Sequence, residues 1–362
     1  MTEDPGPRTR IRGPGALAYP AAAQHSGGMA PHPAPDDPAA PGDDLERIAA
    51  EARAGLVRAI AASGAFEADP GWRAAFEEVP RHLFVPYYWI GTAGGHERLW
   101  REDPDPARRV RWVRGAYADA PLATRLRDGE LLSSSSQPSL MARMLAELRV
   151  RPESRVLEIG AGTGYNAALL AHRVTDARVT TVDLDTEITE SARTHLRAAG
   201  HTPTVVTGDG ARGWPGRAPF DRIMATCTLP SVPRAWLAQC APDALVLAPL
   251  ATGLIRLTVR GPDQAEGRFL HTSAYFVPLR GAARHLPEPG YSGGLPRRAL
   301  HSELFQFLLA LTAGTLDPHD ALTLWQREGR PARERYGVTV RGEHSWAWLD
   351  DPDGPYAWPL PH

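Results

Sequence analysis

From residue 155 onward, short apolar runs alternate with glycine-rich turns and helix-like stretches. Runs of strand length occupy 155–159, 179–183, 204–207, 221–225 and 245–249, and helix-like segments separate the first two pairs. This alternation predicts a parallel α/β sheet. Residues 254–259 and 269–276 alternate polar and apolar positions in the manner of antiparallel strands. Upstream, Leu45, Ile48, Leu56 and Ile60 recur at roughly helical spacing in a helix opened by Asp44. A second helix is expected over 72–78 and is ended by Pro80. The polar run 133–136, then Gln137 and Pro138, leads into a third helix near 140–148, while residues 87–130 show no clean period. After Gly281 the α/β alternation stops. One apolar helix is expected around 304–311, and β structure near 338–348.

Composition changes this picture mainly at the ends. Residues 1–43 are rich in Pro, Ala and Gly and poor in large apolar side chains. Such a stretch buries too little surface to offset its ordering entropy, and it reads as disordered. Met29 within it is a second candidate start. A net charge of −2 offers no basic surface, so nucleic acid is not an expected partner. All 40 basic residues are arginine, a pattern that first reads as GC-rich coding bias. The two cysteines, Cys227 and Cys240, form no CxxC pair and no metal-ligand spacing, so no metal is expected. No apolar run reaches the ~18 residues of a membrane span. The stretch 16–23 is broken by Tyr19 and Pro20, short of the ~7–15 apolar residues of a secretory signal. A cytoplasmic protein without a membrane partner is expected.

The main candidate chemistry lies in Val156-Leu157-Glu158-Ile159-Gly160-Ala161-Gly162-Thr163-Gly164-Tyr165-Asn166, which follows a strand and opens a helix. Glycines there permit a tight turn and close approach of the backbone to a ligand. Asp183 ends the next strand about 20 residues on, where a carboxylate accepts hydrogen bonds from a ribose diol. A dinucleotide fingerprint would require glycine at Tyr165. Glu158 would repel a pyrophosphate but attract the sulfonium and ammonium of S-adenosylmethionine (SAM). Asp209, in Gly208-Asp209-Gly210, is placed to accept from an adenine amino group, although such a triplet is also a common turn.

These motifs, together with Val79-Pro80-Arg81-His82-Leu83-Phe84-Val85-Pro86, Ser136-Gln137-Pro138, Pro219-Phe220-Asp221-Arg222-Ile223-Met224-Ala225-Thr226 and Phe276-Val277-Pro278-Leu279, resemble the protein-L-isoaspartate O-methyltransferase family. The resemblance runs over about 56–281. It implies a Rossmann-like SAM-dependent methyltransferase fold, with an N-terminal helical segment and an extra C-terminal α+β segment. It places SAM on Glu158, Gly160, Gly162, Thr163, Gly164, Asp183, Leu184, Asp209 and Gly210. It places the active-site serine on Ser136, a further catalytic position on Thr226, and substrate contacts on Ser135, Gln137 and Cys227. The chain departs from the family at Asp243-Ala244, where Gly-Gly is usual, and at Cys227, where alanine is usual. Cys227 reads as a buried small residue. The division implied is 1–43 extension, 44–281 catalytic domain, and 282–362 additional segment, a candidate for peptide recognition. The aromatic residues Trp346, Trp348, Tyr356 and Trp358 of that segment could line a peptide groove or form a small core.

A carboxylate acceptor with a reference pKa near ~4 is already ionised at neutral pH, so no strong base is needed and positioning carries the catalysis. The additional residues after 281, the long stretch 87–127 and the serine run resemble the family branch that accompanies ribosomally made peptide natural products (lanthipeptides, lasso peptides, graspetides). That branch implies methylation of an ordinary aspartate in a cyclised precursor peptide. The ester then collapses to an aspartimide, which can open to isoaspartate. The other readings left open are repair of isoaspartyl residues in proteins, a nucleotide-binding oxidoreductase, and an inactive binding module.

Overall fold

A computed structural model describes residues 41–92, 95–127, 130–281, 290 and 292–361. Residues 1–40 of the Pro/Ala/Gly-rich extension, with Met29, lie outside the described residues, as do 282–289.

The chain opens with α1 (Pro41–Ala62) and α2 (Gly71–Glu78). It then forms β1 (Tyr87–Thr92), β2 (Gly95–Trp100), α3 (Pro106–Ala116), β3 (Leu122–Arg127) and β4 (Glu130–Ser135). The four strands make an antiparallel sheet in the order β2-β1-β3-β4. This is the region whose sequence shows no period. Its helix carries a start signal all the same: Asp105 caps it by accepting from the Ala107 amide at 2.9 Å, and Pro106 occupies the first turn. Arginine-rich positions dilute the apolar stripe that otherwise marks a helix.

Next come α4 (Pro138–Glu147), β5 (Val156–Ile159), α5 (Tyr165–Val174), β6 (Val179–Asp183), α6 (Thr186–Ala198), β7 (Thr204–Thr207), β8 (Phe220–Ala225) and α7 (Arg234–Leu237). The chain continues through β9 (Cys240–Leu250), β10 (Gly253–Gly261), β11 (Gln264–Ser273), α8 (Arg297–Leu300), α9 (Glu303–Leu311) and α10 (Pro318–Arg327). It ends with β12 (Tyr336–Arg341), β13 (His344–Leu349) and β14 (Ala357–Pro359). One sheet takes ten strands in the order β14-β13-β12-β11-β10-β9-β8-β5-β6-β7. Pairs from β9 to β7 are parallel, and the rest are antiparallel. The Rossmann-like α/β architecture expected from the sequence is therefore present.

After β7 the chain crosses to β8 on the other side of β5. Strand order thus reverses beside β5, and the crevice outside the strand ends at such a point is where α/β sheets bind ligands. Both faces of the sheet are covered, because alternate residues of each strand enter opposite cores. Val156, Met224, Leu247 and Leu254 join one core with Trp72, Phe76 and Leu145. Leu157, Ile223, Val246 and Ile255 join the other with Trp236, Phe269 and Phe307.

Residues beyond 281 complete that second core. β12 pairs with β11, and the Phe307 ring meets Phe269 at 4.8 Å and Tyr336 at 5.4 Å, both edge-on. Trp348 and Trp358 are buried, as a core requires. The strand expected over 269–276 instead runs Gln264–Ser273, because its hairpin with β10 sets the register and Gln264 also pairs with Arg341. Cutting the chain after Gly281 would bare the β11 edge and the Phe269 ring. The truncated protein is expected to lose its cooperative thermal transition and to aggregate in size-exclusion chromatography, whereas a self-sufficient core would keep both properties intact.

Candidate active site

The strand ends at the reversal point form a cleft. Its walls include the β4 end (Ser133 to Ser136), the glycine loop after β5, the β6 end (Asp183, Leu184), Gly210, Thr226, Cys227, and the segment Val277 to Arg280. It encloses about 830 Å³, open mouth included, within the range of small-molecule sites.

Three glycines shape the loop. Gly160, Gly162 and Gly164 have φ of 99°, 51° and 87°, where a side chain is strained. A Cβ on Gly160 would also lie 2.5 Å from the Thr226 hydroxyl oxygen. That hydroxyl donates to the Gly160 carbonyl at 2.9 Å, so Thr226 clamps the loop to the end of β8. Gly164 faces away from the cleft and lets α6 approach, with Leu196 3.2 Å from where its Cβ would be. The Thr163 carbonyl is held by His195 Nδ1 at 3.0 Å, and burial lowers the pKa of this histidine.

Glu158 is fully buried beneath the loop. Its Oε1 accepts from the Asn166 amide at 2.7 Å, while Oε2 makes no hydrogen bond of good geometry, although the buried Thr181 hydroxyl is close enough to favour its charged form. Burial pushes its pKa up to about 7. A buried carboxylate with an incompletely bonded oxygen fits a cationic ligand and would repel an anionic one. Asp183 Oδ2 accepts from the Gly162 amide at 3.2 Å, and its Oδ1 lies 3.3 Å from Arg280 Nη2. Leu184 is 42% exposed at the rim, an apolar surface suited to the flat face of a base. Were SAM bound here, Glu158 would face its positive charge, Asp183 its ribose and Leu184 its adenine.

Two expected site residues, Asp209 and Gln137, do not line this cleft. Asp209 is not part of the cleft wall. Its Oδ1 caps Ala211 at 3.0 Å, and the neighbouring Gly281 leaves no room for a Cβ, which would fall 2.7 Å from the same oxygen. The Gln137 amide turns away to Asp119, at 3.4 Å. Cys227 lines the cleft, and burial pushes its thiol up to about 12, so it is no nucleophile at neutral pH.

Sequence reasoning gave no role to the residue that organises the serine wall. Arg81 is fully buried and donates to the carbonyls of Ala116 at 2.8 Å, Ala118 at 3.0 Å and Ser136 at 3.1 Å, and to the Ser135 hydroxyl at 3.3 Å. Burial lowers its pKa to about 10, which leaves it charged at neutral pH. Asn166 and Arg280 also went unassigned. The motif Pro-Arg-His marked Arg81 only as part of a resemblance.

Three outcomes are expected from this site. Arg81→Met should destabilise the fold by about 2–4 kcal/mol, the scale for leaving several buried acceptors unpaired, as read by chemical denaturation. Asp183→Ala should weaken SAM binding by about 1–3 kcal/mol in calorimetry, the cost of unpaired hydrogen-bonding groups. Because the Glu158 pKa is raised, the free protein holds this proton below pH about 7. A bound cation must expel the proton, so SAM affinity should fall as pH drops, by at most ~tenfold per unit. Glu158→Gln should flatten that dependence, and an unchanged slope in the variant would assign it to another group.

Comparison with known proteins agrees with this geometry. The family model for protein-L-isoaspartate(D-aspartate) O-methyltransferase matches residues 108–283. A protein-L-isoaspartate O-methyltransferase of Anaeromyxobacter sp. is 36% identical over 234 residues, which cover 63% of this chain and 95% of that relative. Another, of Methylorubrum populi, is 38% identical over 170 residues, covering 46% of this chain and 77% of the relative. A solved protein-L-isoaspartate O-methyltransferase superposes with a TM-score of 0.55 at 22% identity, covering 85% of this chain and 98% of its own. That likeness speaks to fold alone. The chain belongs to the protein-L-isoaspartate O-methyltransferase family and is a SAM-dependent enzyme.

Proposed function

We propose that the protein methylates the free α-carboxylate of isoaspartyl residues in damaged polypeptides. One observation carries the reading: the serine strand lies directly against the cofactor loop. A Cβ on Gly162 would sit 3.6 Å from the Ser134 carbonyl oxygen and 3.9 Å from Ser133 Oγ. An acceptor held by that strand is therefore within reach of a methyl donor held by that loop. SAM supplies an electrophilic methyl group. The polypeptide supplies a carboxylate that is already ionised, so orientation rather than proton removal is what the protein must provide. Ser136 and its neighbouring backbone groups, stiffened from behind by Arg81, provide it. The ester formed is open to attack by the adjacent backbone nitrogen. Methanol leaves, and water opens the resulting succinimide to aspartate or isoaspartate.

The expectation of a cyclised precursor peptide rested partly on the residues after 281. Those residues finish a core and an existing sheet. Nothing else in the cleft favours a macrocycle over an extended segment. The two substrates separate cleanly in a mass-spectrometric assay. A linear isoaspartyl peptide should gain about 14 Da and then lose methanol, the mass changes of esterification and ring closure. A cyclised peptide with only ordinary aspartate should stay unchanged, and the reverse outcome would restore the tailoring reading. Ser136→Ala should lower turnover on the isoaspartyl peptide by about 10–100-fold, a loss typical of misplaced positioning groups, with SAM affinity nearly intact.

A further inference from the structure

The four-stranded sheet is the least explained part of the molecule. Its β1–β2 hairpin lies outside the residues matched by the family model, which begin at 108. Yet its fourth strand ends in the serine wall. The pairing register connects the two. Arg98 on β2 faces Trp89 on β1, Trp89 faces Ala123 on β3, and Ala123 faces Ser134 on β4. Directly paired residues project from the same side of a sheet. One row therefore runs from the cleft-lining Ser134 to Arg98, across three strand spacings, or about 14 Å.

The chemistry along this row is specific. Tyr87 and Trp100 pair next to it on the same face, while Tyr88 and Leu99 fill the buried side. The Arg98 guanidinium lies 4.5 Å from the centre of the Tyr87 ring and 5.6 Å from that of Trp100. Stacking on two rings orders a cation without neutralising it. Arg98 is exposed and forms no ion pair among the described residues. Of the acids nearby in sequence, Glu97 pairs with Arg108 and Arg111 and Asp103 with Arg108, while the exposed Glu102 forms no ion pair with Arg98. A second, smaller cavity is lined by Tyr87, Arg125 and Ser133 and shares Ser133, Gly162 and Thr163 with the main cleft.

We infer that this aromatic face is a docking surface for the polypeptide flanking the methylated residue, and that Arg98 receives an acidic side chain of that polypeptide. The inference rests on the isoaspartyl reading above. An extended chain rises about 3.3 Å per residue, so 14 Å corresponds to roughly four or five positions from the acceptor. The surface thereby selects acidic sequence context at that distance, a preference the cleft alone cannot impose.

The test uses the full-length protein and three isoaspartyl peptides of equal length. One has neutral flanks. One carries Glu at four and five positions from the isoaspartate, on each side. One carries Lys at the same places. The wild type is expected to show a KM about fivefold lower for the acidic peptide than for the neutral one, the scale of one exposed charge pair. That ratio should fall to about one in Arg98→Gln and invert toward the Lys peptide in Arg98→Glu. Because Arg98 is exposed, a thermal melt should show both variants folded. Equal KM values for acidic and neutral peptides in the wild type overturn the docking surface but leave the isoaspartyl reading standing. So does a preference that survives in both variants. Failure of the wild type to methylate any of the three overturns both.

Discussion

A single buried charge ties the working parts together. The Arg81 guanidinium has no carboxylate within ion-pair distance among the described residues; its two terminal nitrogens donate to carbonyls and a hydroxyl, while the buried Nε has no partner. Those acceptors come from the segment after α3 and from the turn after β4. Removing a guanidinium from water is costly, and the acceptors gathered around its terminal nitrogens offset that cost. The arrangement therefore has little freedom: the turn at Ser135 and Ser136 cannot shift without orphaning donors. This links the N-terminal helices, the four-stranded sheet and the reactive wall of the cleft in one network.

The other half of the site is fixed by backbone. The loop after β5 needs three residues at positive φ, and its carbonyl at Gly160 is held by Thr226 from β8. The two strands that flank the reversal of sheet order thus also shape the loop that spans it. Glu158 sits beneath, buried and half satisfied. Such an unpaired oxygen is destabilising in the free protein and becomes an asset only when a cation arrives. Stability is given up at the point where binding energy is needed, a common arrangement at functional sites.

The C-terminal residues illustrate how a family scaffold grows. A sheet edge at β11 would present unpaired amides and carbonyls. Here β12 to β14 take up that edge, and α9 and α10 bring Phe305, Phe307 and Trp325 onto the uncovered face. The extension is therefore structural before it is anything else. The earlier stretch between α2 and β4 instead presents Tyr87, Trp89, Arg98 and Trp100 on one face of the four-stranded sheet, the face we propose as the docking surface.

Local pattern alone determined the parallel strands, the glycine loop and the carboxylates at Glu158 and Asp183. Each depends on short-range rules: buried runs for covered strands, glycine for positive φ, an acid at a strand end. The same rules placed the helix near Leu308 and the late β structure, but not that both belong to the central sheet and its second core. Nor could they reveal the hairpins within 87–130, whose strands are half exposed and carry arginines where a period would show. Gln137 and Asp209 stand in the right motifs, yet their side chains turn to Asp119 and Ala211, because a motif specifies backbone and not side-chain direction. Arg81, Arg280 and Arg98 acquire their surroundings from residues 35 to 97 positions away, or from a neighbouring strand. No local pattern encodes such meetings. They exist only once the chain has closed, and it was the tertiary structure that decided them.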